Sequence, residues 1–173
     1  AREFSAGEGK ALHFSSINPG FVLGPLLDDD SGTSGDVIGL FLKGKYPGCP
    51  RLWFPSVDVR DIAKMHRLAL ETSEPSGGRY IGVSEVASFK DMMIPIKARL
   101  GEKARKVPVR ELPNFAIKLI GLFDPAARAI VPELGKIMRI DNSRTRKALG
   151  MEFIPVSESA PAMARSLVEH GLV

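Results

Sequence analysis

The chain has one cysteine, Cys49, in 173 residues. An internal disulfide is therefore excluded, no CxxC pair is available for a metal, and a reducing compartment is favoured. Its three histidines, His13, His66 and His170, lie far apart with no HxxxH or HxxE spacing, so a metal site is not expected. No apolar run approaches the length of a bilayer span; the longest, Ala116 to Phe123, is broken by Lys118 and Gly121. No charged-then-apolar leader opens the sequence. The expectation is a cytoplasmic protein with no membrane partner.

Charge of one sign is also scarce. The net charge is +4, densest at Lys97, Arg99, Lys103, Arg105, Lys106 and Arg110. No aromatic residue interleaves with those cations, so bases have no stacking platform, and the run reads as a solvated surface without a nucleic-acid partner. The composition is that of a globular domain, long enough to bury about 70% of its unfolded surface.

What is present is organised around Ser15 to Leu27, SSINPGFVLGPLL. Ala11 to Ile17 suits a buried strand. Pro19 cannot donate to a ladder and Gly20 tolerates positive φ, so a break is expected at Asn18-Pro19-Gly20 and another at Gly24-Pro25. A strand ending in a tight apolar turn is where open α/β sheets hold ligands.

Ala1 to Glu8 reads as the tail of a helix entered midway, so the chain is expected to continue a longer polypeptide. Ser34 or Asp36 is expected to cap a helix carrying Val37, Ile38, Leu40, Phe41 and Leu42. GTSGDVIG, Gly32 to Gly39, imitates a dinucleotide loop, but its glycines are spaced GxxGxxxG and acidic residues precede it where a strand is required. Tyr46 to Pro55, with three prolines and the sole Trp53, reads as a stiff aromatic loop suited to a pocket wall.

Asp58 is expected to cap a helix with Asp61 in its first turn and an apolar stripe of Ile62, Met65, His66, Ala69 and Leu70. Further on come a turn at Ser76-Gly77-Gly78, a strand over Arg79 to Val83, and a helix from Phe89 to Leu100 capped by Ser88 and kinked or broken by Pro95. Short strands are expected at Val107 to Val109 and Ile137 to Ile140. Helices are expected over Asn114 to Phe123, from Pro125, up to Leu149 closed by Gly150, and from Ser157 to Gly171. Strands alternate with helices early and helices dominate later, the pattern of an α/β domain with few strands of its own.

Five stretches together resemble the carboxyl-terminal half of an extended short-chain dehydrogenase/reductase, nearest the dihydroflavonol-4-reductase and aldehyde-reductase branch. They are INPGFVLGPLL, SVDVRDIAKMHRLALE, GRYIG, DNSRTRKALG and ARSLVEHGLV, in the family's order. The resemblance implies the last strands of a Rossmann-type parallel sheet plus a smaller helix-rich substrate lobe. Residues 1–83 would end the cofactor-binding sheet and 84–173 would form most of the lobe.

It also implies that the glycine fingerprint and the tyrosine-lysine pair lie upstream of Ala1. Tyr46 and Tyr80 are followed four residues later by Pro50 and Ser84, so this chain supplies no catalytic residue. By resemblance, Pro19, Gly20, Val22 and Ser34 contact NAD or NADP. Phe21, Leu26, Leu27, Trp53 and Pro55 border the pocket of a small-molecule carbonyl substrate. Asp61 reads as a packing residue. The alternatives are a sugar-nucleotide epimerase or dehydratase, whose polar contacts the PGCPRLWFP loop does not offer, and a non-catalytic binding module. The missing Rossmann-type half would leave a bare sheet edge, which is also a route to a homodimer.

Overall fold

The computed structural model describes residues 3, 7–8, 13–72 and 78–173. Most of the expected helix tail at the start and most of the Ser76-Gly77-Gly78 turn lie outside them. Two small sheets form. Strand β1 (Ser15–Pro19) pairs in parallel with β4 (Gly78–Gly82). Strand β3 (Trp53–Asp58) pairs in parallel with β2 (Phe21–Leu23) and antiparallel with β5 (Glu85–Ser88).

The break at Gly20 is thus a transfer of the chain from one sheet to the other. The Gly20 N–H still donates to the Gly82 carbonyl at 3.1 Å, so the turn is anchored before β2 begins. A Cβ at Gly20 would stand 2.0 Å from the Pro55 carbonyl oxygen, so no side chain fits where the two strands meet.

Helix α1 (Gly32–Leu42) starts at Gly32, not after Ser34 or Asp36. Asp30 accepts from the Gly32 N–H and begins the turn ahead of both candidate caps. The imitation dinucleotide loop is therefore inside a helix. Tyr46 to Pro55 is a loop only as far as Leu52, because Trp53, Phe54 and Pro55 pair with Ser88, Ala87 and Val86.

Asp58 caps α2 (Val59–Glu71), accepting from the Arg60 N–H. Met65 is fully buried, whereas Leu70 is 89% exposed and His66 is exposed with Nδ1 on the Ile62 carbonyl. The inward face turns through Leu68 in place of Leu70. Ser88 and Asp91 form a reciprocal capping box at α3 (Phe89–Leu100). Pro95 does not break that helix. It forfeits one bond to the Asp91 carbonyl, while Met92, Met93 and Ile96 beside it are fully buried and hold the helix in place.

Neither Val107 to Val109 nor Ile137 to Ile140 is a strand; the first is irregular, with the Pro108 carbonyl accepting from the Cys49 thiol, and the second is exposed. The remaining helices are α4 (Asn114–Ile120), α5 (Pro125–Ile130), α6 (Ser143–Leu149) and α7 (Val156–Glu169). Gly150, at φ +58°, closes α6 as expected. α7 starts one residue before Ser157, after Pro155.

Two apolar clusters result. The larger joins α1, α3, α7 and the β2–β3–β5 sheet around Leu23, Phe41, Phe89 and Leu167. The smaller joins α2, β4 and α6 around Met65, Tyr80 and Leu149. Among the described residues no helix is long and apolar enough to cross a membrane.

The Gly20 crossing gives a direct test. Gly20→Ala should destabilise the fold by about 3 kcal/mol through overpacking against a backbone carbonyl that cannot retreat without breaking β3. Urea unfolding of the two forms, compared at the same pH, measures it.

Candidate functional site

The turn from Pro19 to Val22 stands at the carboxyl end of β1. Gly20 lies against the Pro55 backbone, and the Phe21 ring lies 5.2 Å from Phe54. Ser34, in the first turn of α1, donates its hydroxyl hydrogen to the Val22 carbonyl at 2.5 Å. Pro19, Gly20, Phe21, Val22, Ser34 and Pro55 are thus brought into one neighbourhood. Leu26 packs on the larger apolar cluster, but Leu27 points away and is 97% exposed.

From Phe21 the aromatic contacts continue inward. Phe54 lies 5.1 Å from Phe89, Phe89 lies 5.0 Å from Phe41, and Phe41 lies 4.8 Å from Tyr46. Most of this row forms the floor of a cleft of about 400 Å³. Its walls include Leu52, Leu112, Ile117, Ile120 and Ile130, and among the described residues the ionisable ones lining it are Tyr46, Lys45 and Asp124.

Neither Trp53 nor Pro55 lines the cleft; Leu52 and Phe54 do. Side chains alternate along a strand, so neighbours of expected pocket residues face the other way. Ile117, Ile120 and Ile130 were not expected at a site. Their apolar spacing marks buried helix faces, and it carries no sign of an empty space beneath them.

Ionisable groups near the turn are structural. Burial is the largest influence on Asp58 and raises its pKa, but hydrogen bonds from Arg60 and Ser159 together outweigh it and hold the carboxyl below its ordinary 3.8. Arg60 meets it with two side-chain bonds of 2.8 Å, and Gly24, at φ +116°, is pressed against the same carboxylate. Asp61 is pushed the other way, first by burial, while its carboxylate accepts the Ile154 N–H at 2.7 Å. Burial and then Glu111 push the Cys49 thiol up to about 11, so it is no nucleophile at neutral pH. Among the described residues no three His, Cys, Asp or Glu side chains are grouped to hold a metal.

No family model matches the chain. Individual proteins do. It is 33% identical to a ketoreductase, azaE, of Aspergillus niger, over 98% of this chain and 47% of the relative. It is 30% identical to cinnamoyl-CoA reductase 2 of Arabidopsis thaliana, over 97% of this chain and 45% of the relative. The chain is a homologue of the extended short-chain dehydrogenase/reductases.

The fold agrees. Superposition on the yeast methylglyoxal/isovaleraldehyde reductase Gre2, solved with NADPH, gives a TM-score of 0.72 at 21% identity, covering 99% of this chain and 52% of that one. Vestitone reductase of alfalfa gives 0.67 at 18% identity, covering 99% and 49%. This reductase homologue therefore spans about half the length of the relatives it matches, and its sheets are the corresponding part of a Rossmann-type fold.

Asp58 sets an acid limit on this homologue. A depressed carboxyl contributes stability above pH 3.8, and that contribution is lost as pH falls through the lower folded value. Asp61, raised by burial, works in the opposite sense. Asp58→Asn should cost about 2 kcal/mol at neutral pH, and the deficit should narrow as acid protonates the parent. Urea midpoints measured from neutral to acid pH check this.

Proposed function

We infer that this chain supplies the substrate wall and the nicotinamide-end turn of an NADPH-dependent carbonyl reductase. One observation carries the reading. The apolar cleft and the turn at the end of β1 are joined by the Phe21–Phe54 contact, so a carbonyl compound seated over Phe54 would lie beside the turn. Relatives named ketoreductase, cinnamoyl-CoA reductase and NADPH-dependent methylglyoxal reductase support it.

The residues present fit one end of a dinucleotide only. Backbone groups of Pro19, Gly20 and Val22, with Ser34, would hold the carboxamide; Gly32 to Gly39 is helical and cannot cradle the pyrophosphate. The bound cofactor would supply hydride to the carbonyl carbon. Phe21, Phe54 and Phe89 would align the carbonyl and exclude water. The proton for its oxygen would come from a tyrosine on the other half of the polypeptide.

That half would join the sheet of β1 and β4. The outer edge of β4 is closed where Thr145 accepts the Ile81 N–H at 2.8 Å, so further strands would add beside β1. A homodimer through the same edge would compete with it. Residues 1–83 would then finish the cofactor sheet and 84–173 would cover the substrate. An aromatic aldehyde or ketone, as in the dihydroflavonol-4-reductase branch, suits the cleft, and an unoxidised Cys49 suits the cytoplasm. A sugar nucleotide suits it poorly, since its diphosphate would meet a lining with one cation, Lys45.

The full polypeptide should oxidise NADPH in the presence of aromatic aldehydes. Phe54→Ala should raise KM about tenfold or more, since it removes a large apolar contact, while leaving NADPH affinity unchanged. The 173-residue chain alone, its fold verified by circular dichroism, should show no turnover and no saturable heat with NADPH. Saturable binding to that chain would overturn the reading.

A further inference from the structure

The strongest unexplained feature is the outer face of the hairpin made by α4 and α5. Phe115 and Leu119, one helical turn apart, are 73% and 60% exposed, and Leu122 and Phe123 in the connecting turn are 64% and 86% exposed. The inner face of the same hairpin, Ile117, Ile120 and Ile130, lines the cleft. Phe115, Leu119, Leu122 and Phe123 are therefore left mostly uncovered by the described residues of this chain.

The turn that presents them is fixed. Arg128 donates from Nε to the Gly121 carbonyl at 2.8 Å and from its terminal nitrogen to the Leu122 carbonyl at 3.0 Å. This holds the Gly121-Leu122-Phe123 turn with its apolar side chains outward.

Charge decides what would cover them. Residues 105–140 carry seven Lys and Arg against three Asp and Glu, in a chain with 24 against 20. All seven cations are exposed, Lys118 lies within the apolar face, and one of the three acids, Glu133, is paired with Lys136 at 3.2 Å. An apolar ridge in a stretch of chain rich in exposed cations is complementary to a lipid surface bearing anionic headgroups.

The other half of the polypeptide is a weaker candidate occupant. Its expected junction, the edge of β1, adjoins the smaller apolar cluster, whereas this hairpin covers the cleft of the larger one.

We propose that the α4–α5 hairpin seats the protein on an anionic membrane surface, lying in the interface without crossing it, with Phe115, Leu119, Leu122 and Phe123 inserted among the headgroups. The sequence led us to expect no membrane partner, because no run is long enough to span. A surface-lying helix needs no such run.

The test uses the full polypeptide and vesicles of phosphatidylcholine with or without phosphatidylserine. Co-sedimentation is expected with the mixed vesicles, weaker with phosphatidylcholine alone, and reduced by salt. Leu122→Asn with Phe123→Asn should weaken binding at least about tenfold, with the circular dichroism spectrum unchanged. Leu70→Asn, which removes a side chain 89% exposed elsewhere, should not weaken it. No sedimentation with mixed vesicles would overturn the proposal. So would equal loss from both variants, or a dimer in light scattering that the double variant dissociates.

Discussion

The structure depends on a crossing where there is room for a hydrogen atom and nothing larger. At Gly20 the chain leaves the sheet of β1 and enters the sheet of β2, passing the Pro55 carbonyl at a distance that forbids any side chain. The consequences spread from that point. Phe21 is delivered onto Phe54, Val22 within reach of Ser34, and the strand end is left facing the side where the aromatic row begins. Pro55 contributes to the site through its backbone position and not through contact with the cleft.

The two apolar clusters would be weakly joined if packing alone connected them. Polar groups couple them. Asp61 on α2 holds the Ile154 N–H, Ser84 donates to the Ile154 carbonyl at 2.9 Å, and Glu85 accepts the Val156 N–H at 2.8 Å. These three bonds pin the segment leading into α7 against α2, the loop between β4 and β5, and the start of β5. Asn142 donates to the Val83 carbonyl, so the start of α6 is tied to the same loop. Each bond spans more than fifty residues of sequence, so the C-terminal helices cannot leave the strands without exposing buried polar partners.

Capping chemistry was readable from the chain because it is local. Asp58 and Ser88 stop their strands and start their helices with side chains that reach only two or three residues onward. The turn at Pro19-Gly20 was readable for the same reason, and its likeness to reductases was carried by short contiguous stretches. Tertiary competition was not readable. Pro95 was expected to kink or break α3; the helix is not broken, because the burial of Met92, Met93 and Ile96 outweighs one lost hydrogen bond. Val107 to Val109 and Ile137 to Ile140 have β-branched composition but find no neighbouring strand among the described residues. The loop from Tyr46 was expected to form a pocket wall, and Tyr46, Pro47, Gly48, Pro50, Leu52 and Phe54 do line the cleft. The facing wall of Ile117, Ile120 and Ile130 was missed, because an empty volume between Phe54 and Ile117 is a property of distance and no residue pattern encodes it.

The α4–α5 hairpin brings these threads together. Its inner face closes an apolar cleft and its outer face is apolar too, with Arg128 fixing the turn between them. A helix apolar on both sides is unstable as a free surface in water and is accounted for only if each side has its own partner. A carbonyl compound on one side and lipid on the other satisfy both. The two would be linked, because an apolar substrate would concentrate in the layer on which we propose the hairpin rests. The cleft, which Ile120 and Phe54 both line, would then be fed from the membrane side rather than from bulk water.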